Sequence, residues 1–177
     1  MKRSFPKGTS DPITIITLMG VSGCGKTTVG KSLADKLGWE FIESDVYHSK
    51  EDIDKMANGI PLTDLDRLPW LERLHTLLIK KQAKNISLIL ACSALKRSYR
   101  EMLYDGLCGC MFVYLKGDYD LIMERMSQRE HFMKPPMLQS QFDALEEPEN
   151  ALVAPISKPA EQIVQNIMHH YGISYKT

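Results

Sequence analysis

The feature that most constrains the fold is an apolar, β-branched run that leads directly into a glycine-rich loop and then into a helical pattern. The run is Ile13-Thr14-Ile15-Ile16-Thr17-Leu18-Met19, and the loop closes with Gly25-Lys26-Thr27. A nearly continuous apolar strand is typical of a parallel sheet that is covered on both faces. The helical pattern continues through Leu37 and stops at Gly38, a residue suited to a helix C-terminus.

The rest of the chain alternates strand and helix patterns. Further strands are predicted at 39–42, 87–92, 111–115 and 151–156, and helices at about 50–58, from Pro69, at 96–104, from Asp118, at 137–145 and at 159–171. This alternation predicts an α/β fold with a five-stranded parallel sheet, right-handed crossovers and flanking helices. The 177 residues contain no internal repeat or linker, so we predict a single domain over residues 1–177.

Composition indicates which classes of partner the protein lacks and in which compartment it resides. Lys and Arg total 22 and Asp and Glu total 22, a balance that argues against nucleic-acid binding. No run approaches the roughly 18 apolar residues of a membrane span, and residues 1–12 lack the apolar core of a secretory signal. The four cysteines do not form a disulfide pattern. We therefore expect a cytoplasmic protein with no membrane or nucleic-acid partner.

The loop matches the full pattern G-x-x-x-x-G-K-[ST], with a strand before it and a helix after it. Its glycines let backbone N–H groups point into one concavity at a helix N-terminus, where phosphates bind. We predict that Lys26 reaches the β- and γ-phosphates of ATP and acts in catalysis, and that the Thr27 hydroxyl ligates Mg²⁺. The predicted nucleotide-binding positions are Gly20, Val21, Ser22, Gly23, Cys24, Gly25, Lys26, Thr27 and Thr28.

Several classes of P-loop protein are disfavoured. The chain is small, and it lacks both a hydrophobic strand ending in Asp and the Asn-Lys-x-Asp motif that reads guanine. These absences argue against pumps, motors and GTPases. Small-molecule and nucleotide kinases remain, in which an arginine supplies positive charge to the transition state.

Several longer strings narrow the class further. They are Gly20-Val21-Ser22-Gly23, Lys55-Met56-Ala57-Asn58-Gly59-Ile60-Pro61-Leu62, Asp66-Arg67-Leu68-Pro69-Trp70-Leu71, Cys92-Ser93-Ala94-Leu95-Lys96-Arg97-Ser98-Tyr99-Arg100, Leu115-Lys116-Gly117-Asp118, His131-Phe132-Met133, Ser140-Gln141-Phe142 and Glu146-Glu147-Pro148. In this order they strongly resemble the bacterial-type gluconokinases. The resemblance implies phosphorylation of D-gluconate by ATP to give 6-phosphogluconate and ADP. It also implies a nucleoside-monophosphate-kinase-like fold, with a substrate-binding helical segment at about 44–85 and a lid at 125–142, and it allows a homodimer.

The acceptor's proton needs a base, and a carboxylate after the second strand suits that role. Asp45 is the predicted catalytic base and a candidate magnesium ligand, with Glu43 as the second choice. The family usually has Asp-Gly-Asp where this chain has Glu43-Ser44-Asp45. Asp45 thus keeps its match, whereas no role is carried over to Glu43.

Gluconate presents one carboxylate and a row of hydroxyls. Arg67 is the predicted carboxylate clamp, because a guanidinium meets a carboxylate with two parallel hydrogen bonds. A surface ion pair with Asp64 or Asp66 is the alternative for Arg67. His48 is a candidate hydroxyl ligand. Lys96 and Arg97 follow the third strand, and we expect one of them to face the substrate and the other to face solvent.

Arg125 and Arg129 are one helical turn apart and precede the predicted lid. In related kinases, arginines at this place clamp the ATP phosphates or cover adenine when the lid closes, so both are candidate catalytic residues. The loop at 156–159 is expected to flank adenine. Family members often have Val-Asp-Ile where this chain has Ala154-Pro155-Ile156, so its base contacts are not assigned.

Two other functions stay open at this point. One is a kinase for a different small polyol acid, such as shikimate, or for a nucleotide. The other is a nucleotide-binding regulator without turnover. Shikimate kinases lack the His131-Phe132-Met133 and Ser93-Ala94-Leu95-Lys96 strings, and the presence of both Lys26 and Asp45 argues against lost catalysis.

Overall fold

The computed structural model describes residues 14–127 and 135–174, and a parallel sheet lies at its centre. In chain order the strands are β1 Ile15–Met19, β2 Glu40–Glu43, β3 Leu88–Ala91, β4 Cys110–Lys116 and β5 Leu152–Pro155. The described residues form a five-stranded sheet in the order β2-β3-β1-β4-β5, with every pair parallel. The α/β class and the five parallel strands predicted from the sequence are confirmed.

The strand register brings the ends of the three middle strands to one edge. In β1, Ile15 pairs with Leu88 and Cys110, and Leu18 pairs with Ala91 and Val113. The loops that follow β1, β3 and β4 therefore leave the sheet side by side. In open parallel sheets, ligands collect at this carboxyl edge.

Helices cover both faces of the sheet. They are α1 Lys26–Leu37, α2 Lys50–Ala57, α3 Asp64–Ala83, α4 Arg97–Leu103, α5 Tyr119–Ser127, α6 Pro135–Ala144 and α7 Ala160–Tyr171, with a 3₁₀ turn at Ser44–Tyr47. Within the described ranges, none of these helices has both the length and the hydropathy needed to cross a bilayer.

The core is divided by the sheet into two layers, because successive residues of β1 point to opposite faces. Ile16 and Leu18 pack with α1, α6 and α7, whereas Ile15 and Met19 pack with α3 and α4. All four side chains are buried. The nearly unbroken apolar run of β1 follows from this burial on both faces.

Helix α3 differs from the sequence-based expectation at its start. The sequence placed Pro69 just inside the start of this helix, but α3 begins at Asp64, five residues before Pro69. Thr63 caps it: its Oγ1 accepts from the Asp66 N–H at 3.2 Å, and its own N–H donates to Asp66 Oδ2 at 2.8 Å. Pro69 lies inside the helix, where its ring removes the N–H that would bond to the carbonyl of Leu65. Leu65 is exposed, so water can bind that carbonyl.

Replacing Thr63 with Ala is expected to lower the free energy of unfolding by about 1 kcal/mol, because the first turn of α3 loses its cap. Thr63→Ser keeps the hydroxyl and should unfold at nearly the urea concentration of the parent. Urea titrations measure both, and a shifted midpoint with an unchanged slope isolates stability. Equal midpoints for Thr63→Ala and the parent would show that the cap does not stabilise α3.

Candidate active site

The glycine-rich loop after β1 turns in a narrow space. The φ of Gly20 is +139°, and a Cβ at this position would lie 2.9 Å from the backbone oxygen of Leu115. The Gly20 N–H donates to the carbonyl of Ser93 at 3.2 Å. Both the backbone conformation and the close approach therefore require glycine here.

Lys26 is bound to its own loop. Its Nζ donates to the carbonyls of Gly20 and Val21, each at 3.0 Å. Helix α1 begins at Lys26 after Gly25, whose φ is +99°, and among the described side chains none caps this end. The first N–H groups of α1 thus open onto the cleft beside the lysine, as in an anion-binding site.

A cleft of about 650 Å³ begins at this loop. Its walls come from the loop and α1, from the carboxyl end of β2, from α5, and from the segment that joins β5 to α7. The lining residues are Ser22, Gly23, Cys24, Gly25, Lys26, Thr27, Thr28, Val29, Glu43, Asp45, Arg125, Met126, Ile156, Lys158, Pro159, Ala160 and Ile163. The Arg125 guanidinium donates to the Ile156 carbonyl at 2.6 Å, which holds it against the wall at 156–160.

Two carboxylates stand at the end of the cleft that β2 supplies. The Thr27 hydroxyl donates to Glu43 Oε2 at 2.6 Å, and Asp45 follows two residues later. Burial raises the pKa of Glu43, with the hydrogen bond from Thr27 opposing this and the charge of Asp45 adding to it. A hydroxyl and two carboxylates are the hard oxygen donors that Mg²⁺ prefers, so these three groups fit the ion. Among the described residues, no group of three or more acidic, histidine or cysteine side chains is arranged to hold a metal ion.

A second group of side chains forms between α3 and α4, and we call Asp64, Arg67, Lys96 and Tyr99 the cationic group. Lys96 Nζ lies 2.7 Å from Asp64 Oδ2, and the Tyr99 hydroxyl donates to Asp64 Oδ1 at 2.5 Å. The Arg67 guanidinium and the Lys96 ammonium lie 5.8 and 5.7 Å from the centre of the Tyr99 ring. Two cations thus share one carboxylate, which leaves a net positive charge of one for an anionic ligand.

His48 interacts electrostatically with Asp45 of the cleft and with Arg67 of the cationic group. Its ring stacks on Trp70 at 4.4 Å, and Trp70 Nε1 donates to the Ser44 carbonyl at 2.9 Å. Burial lowers the pKa of His48, while the charges of Asp45 and Asp52 raise it and that of Arg67 lowers it. His48 Nδ1 is 3.8 Å from Asp52 Oδ2, too far for a hydrogen bond. This buried nitrogen has no hydrogen-bond partner within the described residues.

The sequence model of the shikimate kinase family matches residues 22–167. A "Probable gluconokinase" of Mus musculus is 44% identical over 175 residues, covering 87% of this chain and 95% of the relative. The "Thermoresistant gluconokinase" of Escherichia coli is 43% identical over 155 residues, covering 85% of this chain and 89% of the relative. This chain belongs to the gluconokinase family. The resemblance seen in the sequence strings is thereby confirmed, and the chain is a kinase.

Solved structures of family members agree with this assignment. The chain superposes on a gluconokinase from Sinorhizobium meliloti with a TM-score of 0.81 at 40% identity, covering 91% of this chain and 92% of the other. An unliganded sugar kinase from Janibacter gives a TM-score of 0.86 at 43% identity, with coverages of 92% and 96%. A shikimate kinase from Bacteroides thetaiotaomicron, 17% identical with a TM-score of 0.64, shares the fold.

Most of the candidate residues of this gluconokinase-family chain meet at the carboxyl edge. The glycine-rich loop, Thr28, Asp45 and Arg125 line the cleft, while Arg67 and Lys96 join the cationic group. The suspected surface pair of Arg67 with an aspartate is not its main contact. Arg67 donates to the Leu62 carbonyl at 2.6 Å, and Asp64 Oδ1 is 4.0 Å away. Arg129 lies outside the described residues.

Arg97 is not part of this arrangement. It is the first residue of α4, and its half-exposed guanidinium pairs with Glu101 at 2.8 Å, one turn along the same helix. Of the two candidates after β3, Lys96 therefore faces the cationic group and Arg97 faces solvent. The sequence allowed this division but did not assign it, because α4 starts between the two residues.

Two members of the cationic group were missed in the sequence. Asp64 was considered only as an ion-pair partner of Arg67, yet it bonds to Lys96 and Tyr99, which are 32 and 35 residues away. Tyr99 stands within the Cys92–Arg100 string that carries the family resemblance, so that string was the available signal. Glu43, the second choice for the catalytic base in the sequence, accepts a hydrogen bond from the Thr27 hydroxyl.

Glu43→Gln is expected to be more stable than the parent at pH 7. The folded state raises the pKa of Glu43 above its ordinary 4.5, chiefly through burial. The stabilising contribution of the protonated carboxyl is therefore complete below the ordinary pKa and is lost as the pH rises through the folded-state pKa. The difference between the variant and the parent should thus grow from pH 4 to pH 7.

Urea midpoints of the two proteins across that pH range measure the difference. Glu72→Gln, at an exposed position in α3, is the matched control and should show no such trend. A parent that is more stable than Glu43→Gln at pH 7 would contradict the expectation. It would mean that the bond from Thr27 outweighs the cost of burying the charge.

Proposed function

We propose that this chain catalyses the phosphorylation of D-gluconate by ATP, giving 6-phosphogluconate and ADP. The observation that carries the proposal is the set of groups at the carboxyl edge. The phosphate-binding loop after β1 and Asp45 after β2 line one cleft, and Lys96 of the positively charged cationic group follows β3, the strand between them. These groups suit a triphosphate, an attacking hydroxyl and an acceptor carboxylate. The gluconokinases among the relatives support the choice of gluconate.

In the proposed reaction, the primary hydroxyl oxygen of the acceptor attacks the γ-phosphorus. The bond from that phosphorus to the β,γ-bridging oxygen breaks, and ADP leaves with the bond's electron pair. Asp45 accepts the proton of the attacking hydroxyl. Lys26 moves from its loop carbonyls to the β- and γ-phosphate oxygens, where it offsets the charge that develops during transfer.

The cationic group orients the acceptor. Arg67 and Lys96 bind the carboxylate of gluconate, and His48 bonds to one of its hydroxyls. Burial lowers the pKa of His48 and so favours the neutral ring, which can both donate and accept hydrogen bonds. Fixing the carboxylate at one end of the chain-like substrate places the primary hydroxyl at the other end near Asp45.

The arginines and magnesium complete the proposal. Arg125 binds the ATP phosphates from the α5 wall of the cleft. Arg129 is assigned the same role from the sequence. Thr27 and Asp45, together with Glu43, would hold a Mg²⁺ ion that neutralises phosphate charge.

We also place the enzyme in the cytoplasm, assign residues 44–85 to acceptor binding and 125–142 to a lid, and keep a homodimer as a prediction.

An acceptor panel tests the function. ATP consumption is measured with gluconate, idonate, shikimate and nucleoside monophosphates, and gluconate is expected to accelerate it most. If shikimate or a nucleotide accelerated ATP consumption more than gluconate did, that compound and not gluconate would be the acceptor. No acceleration by any acceptor, with ATP still bound, would favour the nucleotide-binding regulator. Asp45→Asn serves as the catalytic control: it should fold and bind ATP but turn over at least about 100-fold more slowly, the usual effect of a lost general base.

Arg67→Met is expected to raise the KM for gluconate by about 10-fold or more, because charge-assisted hydrogen bonds to the carboxylate are lost. The matched control is Arg97→Met, which removes the same charge from the solvent-facing neighbour of Lys96 and should leave KM within about twofold. Steady-state kinetics at saturating ATP provide both values, and thermal unfolding checks that the bond from Arg67 to Leu62 is not needed for folding. Equal effects of the two variants would contradict the assignment of Arg67.

A further inference from the structure

One peptide unit of the phosphate-binding loop is held at both of its polar ends. The carbonyl of Val21 accepts from Lys26 Nζ at 3.0 Å, and the N–H of the same peptide, on Ser22, donates to Gln141 Oε1 at 2.6 Å. Gln141 lies on α6, 119 residues from Ser22 along the chain. The contact is therefore set by tertiary packing.

Helix α6 lies at the end of the segment assigned to the lid, but its buried side chains pack it into the core. Met137 and Leu138, one turn before Gln141, are 4% and 0% exposed and pack in the same core layer as Val21 and Cys24 of the loop. The next residue, Phe142, packs its ring against Tyr119 with centroids 5.5 Å apart. The Gln141 carboxamide is thus presented to the loop from a well-packed helix.

Nucleotide binding is expected to affect the hydrogen bonds at the two ends of this peptide differently. Lys26 has a single ammonium group, and its predicted place in the ATP complex is on the β- and γ-phosphates. As it moves there, the Val21 carbonyl loses its ammonium partner. The Ser22 N–H is already engaged by Gln141, so it is not among the loop N–H groups that are free to bind phosphate, and its bond can persist through this exchange.

We propose that Gln141 is a positioning residue that fixes the Val21–Ser22 peptide while Lys26 transfers to the phosphates. With the N–H held, the peptide plane keeps its orientation, and the loop keeps the concave shape that accepts the terminal phosphate. This role rests on the proposed use of ATP but not on the identity of the acceptor.

The location of the contact gives the role a specific signature. The Gln141 oxygen bonds to the same peptide that carries the resting Lys26 ammonium, at the loop end rather than at the wall formed by 156–160. A charge placed at position 141 should therefore act on the terminal phosphate of ATP more strongly than on ADP. A residue that merely stabilised the fold would change the binding of both nucleotides equally.

Four variants separate these cases. Gln141→Met keeps the length of the side chain but removes the acceptor, while Gln141→Glu keeps an acceptor and adds a negative charge. Gln139→Met and Gln139→Glu make the same changes at an exposed position on the same helix, where Gln139 bonds to Asp143. Calorimetry measures the Kd of MgATP and of MgADP without any acceptor present.

For Gln141→Met we expect a Kd for ATP about 3- to 10-fold higher than in the parent, the usual net effect of one lost hydrogen bond. For Gln141→Glu we expect the ratio of the ATP Kd to the ADP Kd to rise about fivefold or more, because like charges repel across a few ångströms. Both Gln139 variants should bind like the parent. Amide hydrogen exchange at Ser22, measured without nucleotide, should be faster in Gln141→Met than in the parent.

The proposal is overturned if Gln141→Met binds ATP as the parent does, or if Gln141→Glu weakens ATP and ADP binding by the same factor. If Gln141→Met fails to fold, the nucleotide ratio of Gln141→Glu decides alone. A parent enzyme that binds ATP but phosphorylates none of the acceptors would refute the proposed function. The binding comparison would still support or reject the role of Gln141.

Discussion

The position of Gly20 between two neighbouring loops is the constraint on which the site depends. Its N–H is bonded to the Ser93 carbonyl after β3, and its α-carbon faces the Leu115 carbonyl near the end of β4, with no room for a Cβ. The chain therefore leaves β1 in contact with the exits of both adjacent strands. This contact sets the distance between the loop that holds phosphate and the loop that carries Lys96. Two-sided burial of the sheet then fixes the strands themselves, because a shift of β1 by one residue would exchange its two core faces.

Much of the fold was predictable because its signals are local. An apolar run followed by the glycine–lysine–threonine loop is readable within fifteen residues, and alternation of strand and helix implies a parallel sheet. The spatial strand order β2-β3-β1-β4-β5 does not follow from alternation alone, since strand pairing is a long-range property. The start of α3 was misplaced although Thr63 and Asp66 carry a capping signature. The helix start was predicted from Pro69 and not from this pair, because proline is common in the first turn of a helix.

The site residues likewise fall into those that the sequence could predict and those that depend on long-range contacts. Lys26 and Thr27 begin the helix that follows β1, and Asp45 follows β2 at the same edge of the sheet, so their meeting follows from topology. The choice between Lys96 and Arg97 depends on the residue at which α4 begins, and sequence patterns locate helix ends poorly. The sharing of Asp64 by Lys96 and Tyr99 links α3 to the β3–α4 loop and to α4, and no local pattern encodes it. The buried Thr17 hydroxyl of β1 is likewise paired with Tyr104, from the far end of α4.

The resting contacts of Lys26 have a consequence for which anions the empty loop retains. Its ammonium is already coordinated by two carbonyl oxygens, so an arriving anion gains little by offering one oxygen in their place. Chloride, or a single phosphate, must also forfeit its own hydration to make that exchange. A nucleoside triphosphate brings several charged oxygens at once and has the α1 N-terminus as a second counter-charge. We therefore expect the loop to bind a nucleoside triphosphate in preference to smaller anions such as chloride or a single phosphate.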